Sequence, residues 1–122
     1  MRILLAEDET TIAITLGDEL EDAGHSVARF EDGRAAIAWL EQEPVDCVIT
    51  DLRLPGASGL AVLEAARTKG AGLPVVVISA WASPEQEHEL AACGAQFFRK
   101  PFGNDALVAF LAGLATAQGG AA

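Results

Sequence analysis

Five short apolar segments alternate with five longer amphipathic segments along the chain. This alternation is typical of βα-repeating folds, in which a parallel sheet lies between layers of helices. The runs Ile3–Leu5, Cys47–Ile49 and Val75–Ile78 are continuously apolar, as expected for central strands that are covered on both faces. The predicted strands are Arg2 to Ala6, Ser26 to Phe30, Asp46 to Thr50, Pro74 to Ser79 and Gln96 to Arg99.

The longer segments carry apolar residues at helical spacing, and glycine or proline follows most of them as a stop signal. The fourth helix has the clearest start, because Ser83 can cap it, Pro84 suits its first turn and Glu85 is a favourable acid. Trp39, on the second helix, is interpreted as a packing residue. The predicted helices run from Thr10 to Ala23, from Asp32-Gly33 to Pro44, from about Ser58 to Lys69, from Ser83 to Gly94 and from Asn104 to about Ala117.

The composition limits the number of domains and the kinds of partner. A chain of 122 residues, 51% of them hydrophobic, has material for one compact domain. We assign this domain to residues 1–117 and interpret residues 118–122 as a flexible tail or linker stub. The formal net charge of -10 should repel nucleic acid phosphates, so direct DNA or RNA binding by this domain is not expected. The apolar runs are shorter than the roughly 20 residues that span a bilayer, and we expect a cytoplasmic protein without membrane contact.

Residues that carry chemistry stand at or just past the ends of four predicted strands. In an open α/β sheet, ligands bind outside the carboxyl ends of the strands, so these residues should lie close together. Carboxylates packed this closely need a cation to stay ionised, and oxygen ligands alone indicate Mg²⁺ or Mn²⁺. The set consists of Glu7, Asp8 and Glu9 after the first strand, Asp51 after the third, Ser79 after the fourth, and Lys100 with Pro101 after the fifth.

This set suits the transfer of a phosphoryl group to Asp51. An aspartate is a competent nucleophile for this reaction and forms an aspartyl phosphate. The phosphoryl oxygens need donors and cations around them, which the Ser79 hydroxyl and the Lys100 ammonium could supply. Taken singly, each signal has a simpler interpretation: the acidic run could cap the first helix, and Lys100 could be a surface lysine. The prediction therefore depends on the whole set.

Two other functions fit parts of the same pattern. A phosphohydrolase similar to the haloacid dehalogenases also uses an aspartate nucleophile after a parallel strand, but it needs a second acid two residues later. Arg53 stands there, and arginine cannot act as a general acid at neutral pH. A flavin carrier or nucleotide binder would need a phosphate-cradling loop after the first strand, where Glu7 and Asp8 stand instead.

Four motifs follow one another along the chain. They are Ile3-Leu4-Leu5-Ala6-Glu7-Asp8-Glu9, Val48-Ile49-Thr50-Asp51-Leu52-Arg53-Leu54-Pro55-Gly56 with Gly59, Val77-Ile78-Ser79-Ala80, and Phe98-Arg99-Lys100-Pro101-Phe102. Together they resemble the CheY-like receiver domains of two-component response regulators, over about Arg2 to Leu114. The resemblance implies a flavodoxin-like, doubly wound α/β fold with a five-stranded parallel sheet in the order 2-1-3-4-5 and helices on both faces.

The resemblance implies a role for each acid of the set. Asp51 would be the phosphoacceptor and a metal ligand, and Asp8 would be a direct ligand of Mg²⁺ or Mn²⁺. Glu7 would act mainly through a metal-bound water, and the backbone carbonyl of Arg53 would supply a further ligand. Many receivers have two aspartates where this chain has Glu7 and Asp8, which lengthens the reach of the outer acid but keeps its charge.

The resemblance also implies which residues respond to phosphorylation. Ser79 would move to bond a phosphoryl oxygen, and Lys100 would pair with both the phosphoryl group and Asp51. The peptide bond before Pro101 is expected to be cis, which before proline costs only about 0.5–1 kcal/mol. Phe97, three residues before the lysine, would be an aromatic switch that turns inward, with a plain core residue as the alternative.

Two bulky residues stand where receivers tune the lifetime of the aspartyl phosphate. Arg53 is two residues past Asp51, and Trp81 is two residues past Ser79. Our hypothesis is that the Trp81 indole shields the acyl phosphate from in-line water and so prolongs its lifetime.

By the same resemblance, the phosphodonor would be a sensor histidine kinase or a histidine phosphotransfer protein. The output would be a shift at the face made by the fourth helix, fifth strand and fifth helix, which could also serve a homodimer. The domain would catalyse its own phosphorylation and dephosphorylation without turnover of an external substrate. The loop after Asp51 resembles that of transcriptional regulators, which favours the N-terminal part of such a regulator over a stand-alone receiver.

Overall fold

The computed structural model describes residues 1–120, with side-chain surroundings for residues 1–115. Within this range strands and helices alternate without exception, as the sequence predicts. The strands are β1 (Arg2–Ala6), β2 (Ser26–Phe30), β3 (Cys47–Asp51), β4 (Val75–Ser79) and β5 (Gln96–Arg99). The helices are α1 (Thr10–Asp22), α2 (Gly33–Gln42), α3 (Gly59–Lys69), α4 (Pro84–Ala92) and α5 (Asn104–Gly120).

The strands form one parallel sheet in the order β2-β1-β3-β4-β5, which confirms the predicted fold class. As predicted, β1, β3 and β4 are central, and every residue of β3 and β4 is buried. β3 lies one residue further along the chain than predicted. Asp51 is therefore the last residue of β3, paired with Ile78 of β4, and not the first residue after the strand. Its position is set by the sheet ladder itself.

Helices cover both faces of the sheet, and each face has its own hydrophobic core. Because side chains alternate along a strand, Leu4 joins the core under α2 and α3, whereas Ile3 and Leu5 join the core under α1 and α5. Trp39 packs against the first of these cores with its ring 5.9 Å from that of Phe30, which confirms its interpretation as a packing residue. The two cores hold the carboxyl ends of β1, β3 and β4 at one rigid edge.

Side-chain caps set the starts of three helices. Asp32, Ser58 and Ser83 accept hydrogen bonds from backbone N–H groups in the first turns of α2, α3 and α4. α5 runs to Gly120, beyond the end that the sequence predicted near Ala117, and the last two residues of the predicted tail lie outside the described residues. Among the described helices, none combines the length and the apolar character that a membrane span needs.

Gly59 begins α3 directly against the backbone of the strand that carries Asp51. A Cβ atom at Gly59 would lie 2.1 Å from the carbonyl oxygen of Asp51 and 2.7 Å from Cα of Leu52. Backbone atoms would have to move to relieve this overlap. We expect Gly59→Ala to lower the free energy of unfolding by about 3 kcal/mol, measured by chemical denaturation.

Gly113 in α5 supplies a matched control, because a Cβ atom there would meet nothing within 4 Å. Alanine has the higher helix propensity, so Gly113→Ala should raise the free energy of unfolding by about 0.5–1 kcal/mol. Effects of the same sign and size in the two variants would show that the backbone contact at Gly59 does not constrain the fold.

Candidate functional site

Four strands bring polar side chains to one edge of the sheet. Glu7 and Asp8 follow β1, Asp51 ends β3, Ser79 ends β4 and Lys100 follows β5. A cavity of about 250 Å³ opens between them, with a larger and mostly apolar cavity of about 490 Å³ beside it, between α1 and the start of α5. The smaller cavity is lined by Asp8, Glu9, Asp51, Arg53, Ser79, Ala80, Trp81 and Lys100.

Lys100 is the central cation of this site. Its Nζ lies 2.6 Å from Asp51 Oδ2, 2.8 Å from Glu7 Oε1 and 3.0 Å from Glu9 Oε1, and its side chain is only 9% exposed. Burial by itself lowers the pKa of Lys100, but its contacts with the three carboxylates outweigh burial and raise this pKa above its usual value. Lys100 is therefore a permanent positive charge beside Asp51 at neutral pH.

Glu9 as a partner of Lys100 was not predicted from the sequence. The sequence placed Glu9 among the acids after the first strand but assigned it no role. No motif signals the contact, because the two residues are far apart in the chain and only the closeness of the β1 and β5 loops brings them together. The pairing of Lys100 with Asp51, by contrast, was implied by the resemblance.

Glu7 is fully buried and is not among the residues that line the smaller cavity. Its Oε2 accepts a hydrogen bond from the backbone N–H of Glu9 at 3.1 Å. Its Oε1 lies within ion-pair distance of Lys100, but no group in the described part of the chain meets it with hydrogen-bond geometry. Burial raises the pKa of Glu7 to about 7, although the contact with Lys100 and the Glu9 N–H both lower it. Additional positive charge at this point would favour the ionised carboxylate.

The acids at this edge fit a divalent cation. One carboxylate oxygen each from Glu7, Asp8 and Asp51 lies within 4.8 Å of the other two. Glu7 and Asp51 are buried while Asp8 is exposed, so the cluster is open to solvent on one side. The buried Glu7 Oε1 is an oxygen that lacks a hydrogen bond, and a set of oxygen ligands suits Mg²⁺ or Mn²⁺. The structure thus brings together the three acids that the sequence predicted as metal ligands.

Ser79 is buried, but its hydroxyl is turned toward its own loop. It donates a hydrogen bond to the Trp81 carbonyl at 2.9 Å and accepts one from the Trp81 N–H at 3.3 Å. The predicted contact between Ser79 and a phosphoryl oxygen therefore requires this hydroxyl to rotate. The peptide bond between Lys100 and Pro101 is cis, as the resemblance implied.

Arg53 and Trp81 meet at the rim of the cavity. The Arg53 guanidinium lies 5.7 Å from the centre of the Trp81 ring, and Trp81 is 55% exposed. The backbone N–H of Arg53 donates to Asp51 Oδ1 at 2.9 Å, which holds the Arg53 backbone beside the same carboxylate. The role of the Arg53 carbonyl as a metal ligand stays a prediction.

Phe97 lies on β5, half-buried against the core under α2 and α3. The Arg99 guanidinium lies 5.7 Å from the centre of its ring. A ring in this position packs on the core and also borders solvent. Both interpretations of Phe97, an aromatic switch and a core residue, therefore stay open.

Comparison with known sequences places this geometry in context. A family model described as the response regulator receiver domain matches residues 3–112. The transcriptional regulatory protein PhoP of Escherichia coli K12 is 34% identical over 103 residues, which are 84% of this chain and 46% of that protein. The virulence transcriptional regulatory protein PhoP of Salmonella typhimurium LT2 is 35% identical over the same shares. The chain spans about half the length of these curated relatives.

Solved structures show the same architecture. The chemotaxis response regulator CheY4 of Vibrio cholerae has a TM-score of 0.82 and 28% identity, covering 93% of this chain and 97% of that one. The HemR receiver domain of Leptospira biflexa has a TM-score of 0.85 and 29% identity, covering 93% and 92%. A CheY-like receiver domain protein of Methanospirillum hungatei reaches a TM-score of 0.90 at 24% identity, covering 99% and 98%, and supports the fold alone.

Proposed function

The chain belongs to the response regulator receiver domain family, and we propose that Asp51 is the residue that accepts the phosphoryl group in its signalling system. The observation that carries this proposal is the contact of 2.6 Å between Asp51 Oδ2 and the buried ammonium of Lys100, next to Glu7 and Asp8. Asp51 lies between the Lys100 ammonium and two acids that can bind a metal cation. Its carboxylate can therefore attack a phosphorus atom while positive charges stabilise the phosphoryl oxygens.

The phosphodonor in this proposal is the phosphohistidine of a sensor histidine kinase or a phosphotransfer protein. An Asp51 carboxylate oxygen attacks the phosphorus atom, and the P–N bond breaks as the imidazole leaves with the electron pair and takes up a proton. Lys100 then faces the phosphoryl oxygens. Attack by water later releases inorganic phosphate and restores the carboxylate. The domain thus catalyses its own phosphorylation and dephosphorylation and turns over no external substrate, so we do not class it as an enzyme.

Asp8 and Asp51 would hold the Mg²⁺ or Mn²⁺ ion directly in this proposal, with the carbonyl of Arg53 as a further ligand and Glu7 acting through a metal-bound water. When bound, the ion would neutralise charge on the phosphoryl oxygens. The chain's own part is to hold the acids in place, and Lys100 does this for two of them through its contacts with Glu7 at 2.8 Å and Asp51 at 2.6 Å.

We infer that Ser79 transmits the phosphorylation of Asp51 to the rest of the domain. Its hydroxyl bonds the backbone of Trp81, so bonding a phosphoryl oxygen would release the loop that leads into α4. Phe97 on the neighbouring β5 would then turn inward. The output is a population shift at the face made by α4, β5 and α5, and a homodimer through this face is part of the proposal.

The longer relatives suggest the wider setting. The two PhoP proteins are transcriptional regulators of about twice this length. We propose that this chain is the receiver part of a similar cytoplasmic regulator. The net charge of -10 argues against DNA contact by this domain itself.

Incubation with acetyl phosphate and Mg²⁺, followed by intact-protein mass spectrometry, tests the proposal. We expect one phosphoryl group per chain, located on the peptide that contains Asp51. Prior chelation of the metal should prevent labelling, because the acids and Lys100 alone leave the phosphoryl charge incompletely balanced. A wild-type protein that gains no phosphate under these conditions would contradict the proposal.

Trp81 provides a test of phosphate lifetime. The indole stands at the cavity mouth beside Arg53, where it can exclude water from the line of attack on an aspartyl phosphate. We expect Trp81→Ala to lose its phosphoryl group about threefold to tenfold faster than the wild type. Loss of radiolabel after removal of the donor measures this rate. Trp81→Phe, which keeps an aromatic ring, is the control and should lose its phosphoryl group at nearly the wild-type rate. An unchanged or slower rate of loss in Trp81→Ala would contradict the shielding hypothesis.

A further inference from the structure

The Lys100 ammonium has three N–H donors, and three carboxylates surround it. Of the three, only Asp51 and Glu9 bond it with hydrogen-bond geometry, and Glu7, within ion-pair distance, crowds the third donor without such a bond. A phosphoryl oxygen that approaches Lys100 therefore competes with these carboxylates for the ammonium. The question is which of the three can leave.

Two of the three carboxylates are fixed. Glu7 is fully buried, and its Oε2 accepts the backbone N–H of Glu9, which anchors the carboxylate beside Lys100. Asp51 is held by the N–H of Arg53 and is itself the residue that receives the phosphoryl group. Neither can withdraw from Lys100 without disturbing the buried edge of the sheet.

Glu9 differs from both in exposure and in attachment. Its side chain is 61% exposed, and its contact with Lys100 is the longest of the three at 3.0 Å. Glu9 is the N-cap residue of α1, yet its side chain makes no capping hydrogen bond to that helix. Its carboxylate accepts a hydrogen bond from Lys100 instead, and both residues line the cavity that contains Asp51.

Given the function proposed above, on which this step rests, we propose that Glu9 is a positioning residue that restrains phosphorylation. In the unphosphorylated site its carboxylate holds one donor of Lys100, and the arriving phosphoryl group competes with it for that donor. Because Glu9 is itself an anion at the cavity mouth, it also repels anionic donors. Glu9 thus favours the unphosphorylated state and discriminates among donors by their charge.

The test compares the wild type with Glu9→Gln, which keeps the size of the side chain and removes its charge. Glu85→Gln is the matched control, because Glu85 is also an exposed acid at the start of a helix but lies in α4, away from the cavity lining. Beryllofluoride, a stable mimic of the phosphoryl group, is titrated at saturating Mg²⁺ while the fluorescence of the two tryptophans, Trp39 and Trp81, is followed. Phosphorylation rates are measured with acetyl phosphate, a dianion, and with phosphoramidate, which carries less negative charge.

We expect Glu9→Gln to bind beryllofluoride about threefold to tenfold more tightly and to react with acetyl phosphate faster by a similar factor, as suits one partly screened charge. The increase in phosphorylation rate should be smaller with phosphoramidate than with acetyl phosphate. Glu85→Gln should have the wild-type affinity for beryllofluoride and the wild-type rates. A purely structural role for Glu9 at the start of α1 would not depend on donor charge.

Two outcomes would overturn the proposal in different ways. If the wild type binds beryllofluoride and Glu9→Gln binds it equally or more weakly, the restraining role of Glu9 is wrong and the proposed function stands. If the wild type neither binds beryllofluoride nor gains phosphate from either donor, the function proposed for Asp51 fails, and the role of Glu9 fails with it.

Discussion

Asp51→Asn is expected to reduce phosphorylation by acetyl phosphate to below about 1% of the wild-type level, because a carboxamide oxygen does not form a stable acyl phosphate. The fold should survive the change. The asparagine can still accept the N–H of Arg53, which bonds Asp51 Oδ1 in the wild type. Intact-protein mass spectrometry measures the label, and circular dichroism verifies that the variant is folded.

Asp22→Asn is the matched control for this prediction. Asp22 is an exposed aspartate at the end of α1, and its replacement removes the same charge outside the cavity lining. Asp22→Asn should label like the wild type. Equal labelling of Asp51→Asn and the wild type would mean that another residue receives the phosphoryl group and that the central proposal is wrong.

Lys100→Met should destabilise the metal-free protein by about 3–5 kcal/mol at pH 8, since it leaves the buried Glu7 and Asp51 carboxylates without their shared cation. The loss should be smaller at pH 5. Burial already raises the pKa of Glu7 to about 7, so below that pH the group binds a proton and depends less on Lys100. Added Mg²⁺ should restore part of the stability at pH 8. Chemical denaturation at both pH values, with and without Mg²⁺, measures these effects.

Arg99→Met is the control for the Lys100 prediction. Arg99 pairs with Glu87 at 3.6 Å, and about half of the arginine side chain is exposed, so this surface pair should contribute less than about 1 kcal/mol. A Lys100→Met protein that is no less stable than Arg99→Met at pH 8 would show that the acids tolerate the loss of their cation. The close approach of the Glu7 and Asp51 carboxylates would then not depend on Lys100.

Much of the site was predictable because all strands of a parallel sheet end at the same edge, so the residues that follow each strand in the sequence lie near one another. Neighbouring strands lie about 4.8 Å apart, so residues at successive carboxyl ends must meet at one edge. Asp51 at the end of β3 and Ser79 at the end of β4 meet in this way. The one-residue shift of β3 did not change this outcome, because Asp51 remains at the same edge.

The contacts within the site were less predictable. The sequence indicated that Glu7 would be an outer ligand, but not that it would be fully buried with its pKa raised to about 7. Nor did any pattern indicate that Ser79 would bond the backbone of Trp81. These features depend on side-chain rotamers and on desolvation by neighbouring elements. Neither leaves a repeating pattern of residues that could be recognised in the sequence.

Glu9 shows most clearly which features the sequence determined and which only the tertiary structure decided. The alternation of apolar and amphipathic segments determined the order of strands and helices along the chain and which strands are central. With the rule that ligands bind at the carboxyl ends of parallel strands, it also predicted the edge at which the acids, Ser79 and Lys100 assemble. Only the tertiary structure decided that Lys100 is shared among Asp51, Glu7 and Glu9, and that Glu9 is the exposed member of the three. The physical reason is that periodicity encodes the direction of each side chain from its own element, whereas ion pairing depends on distances between atoms of elements far apart in the chain.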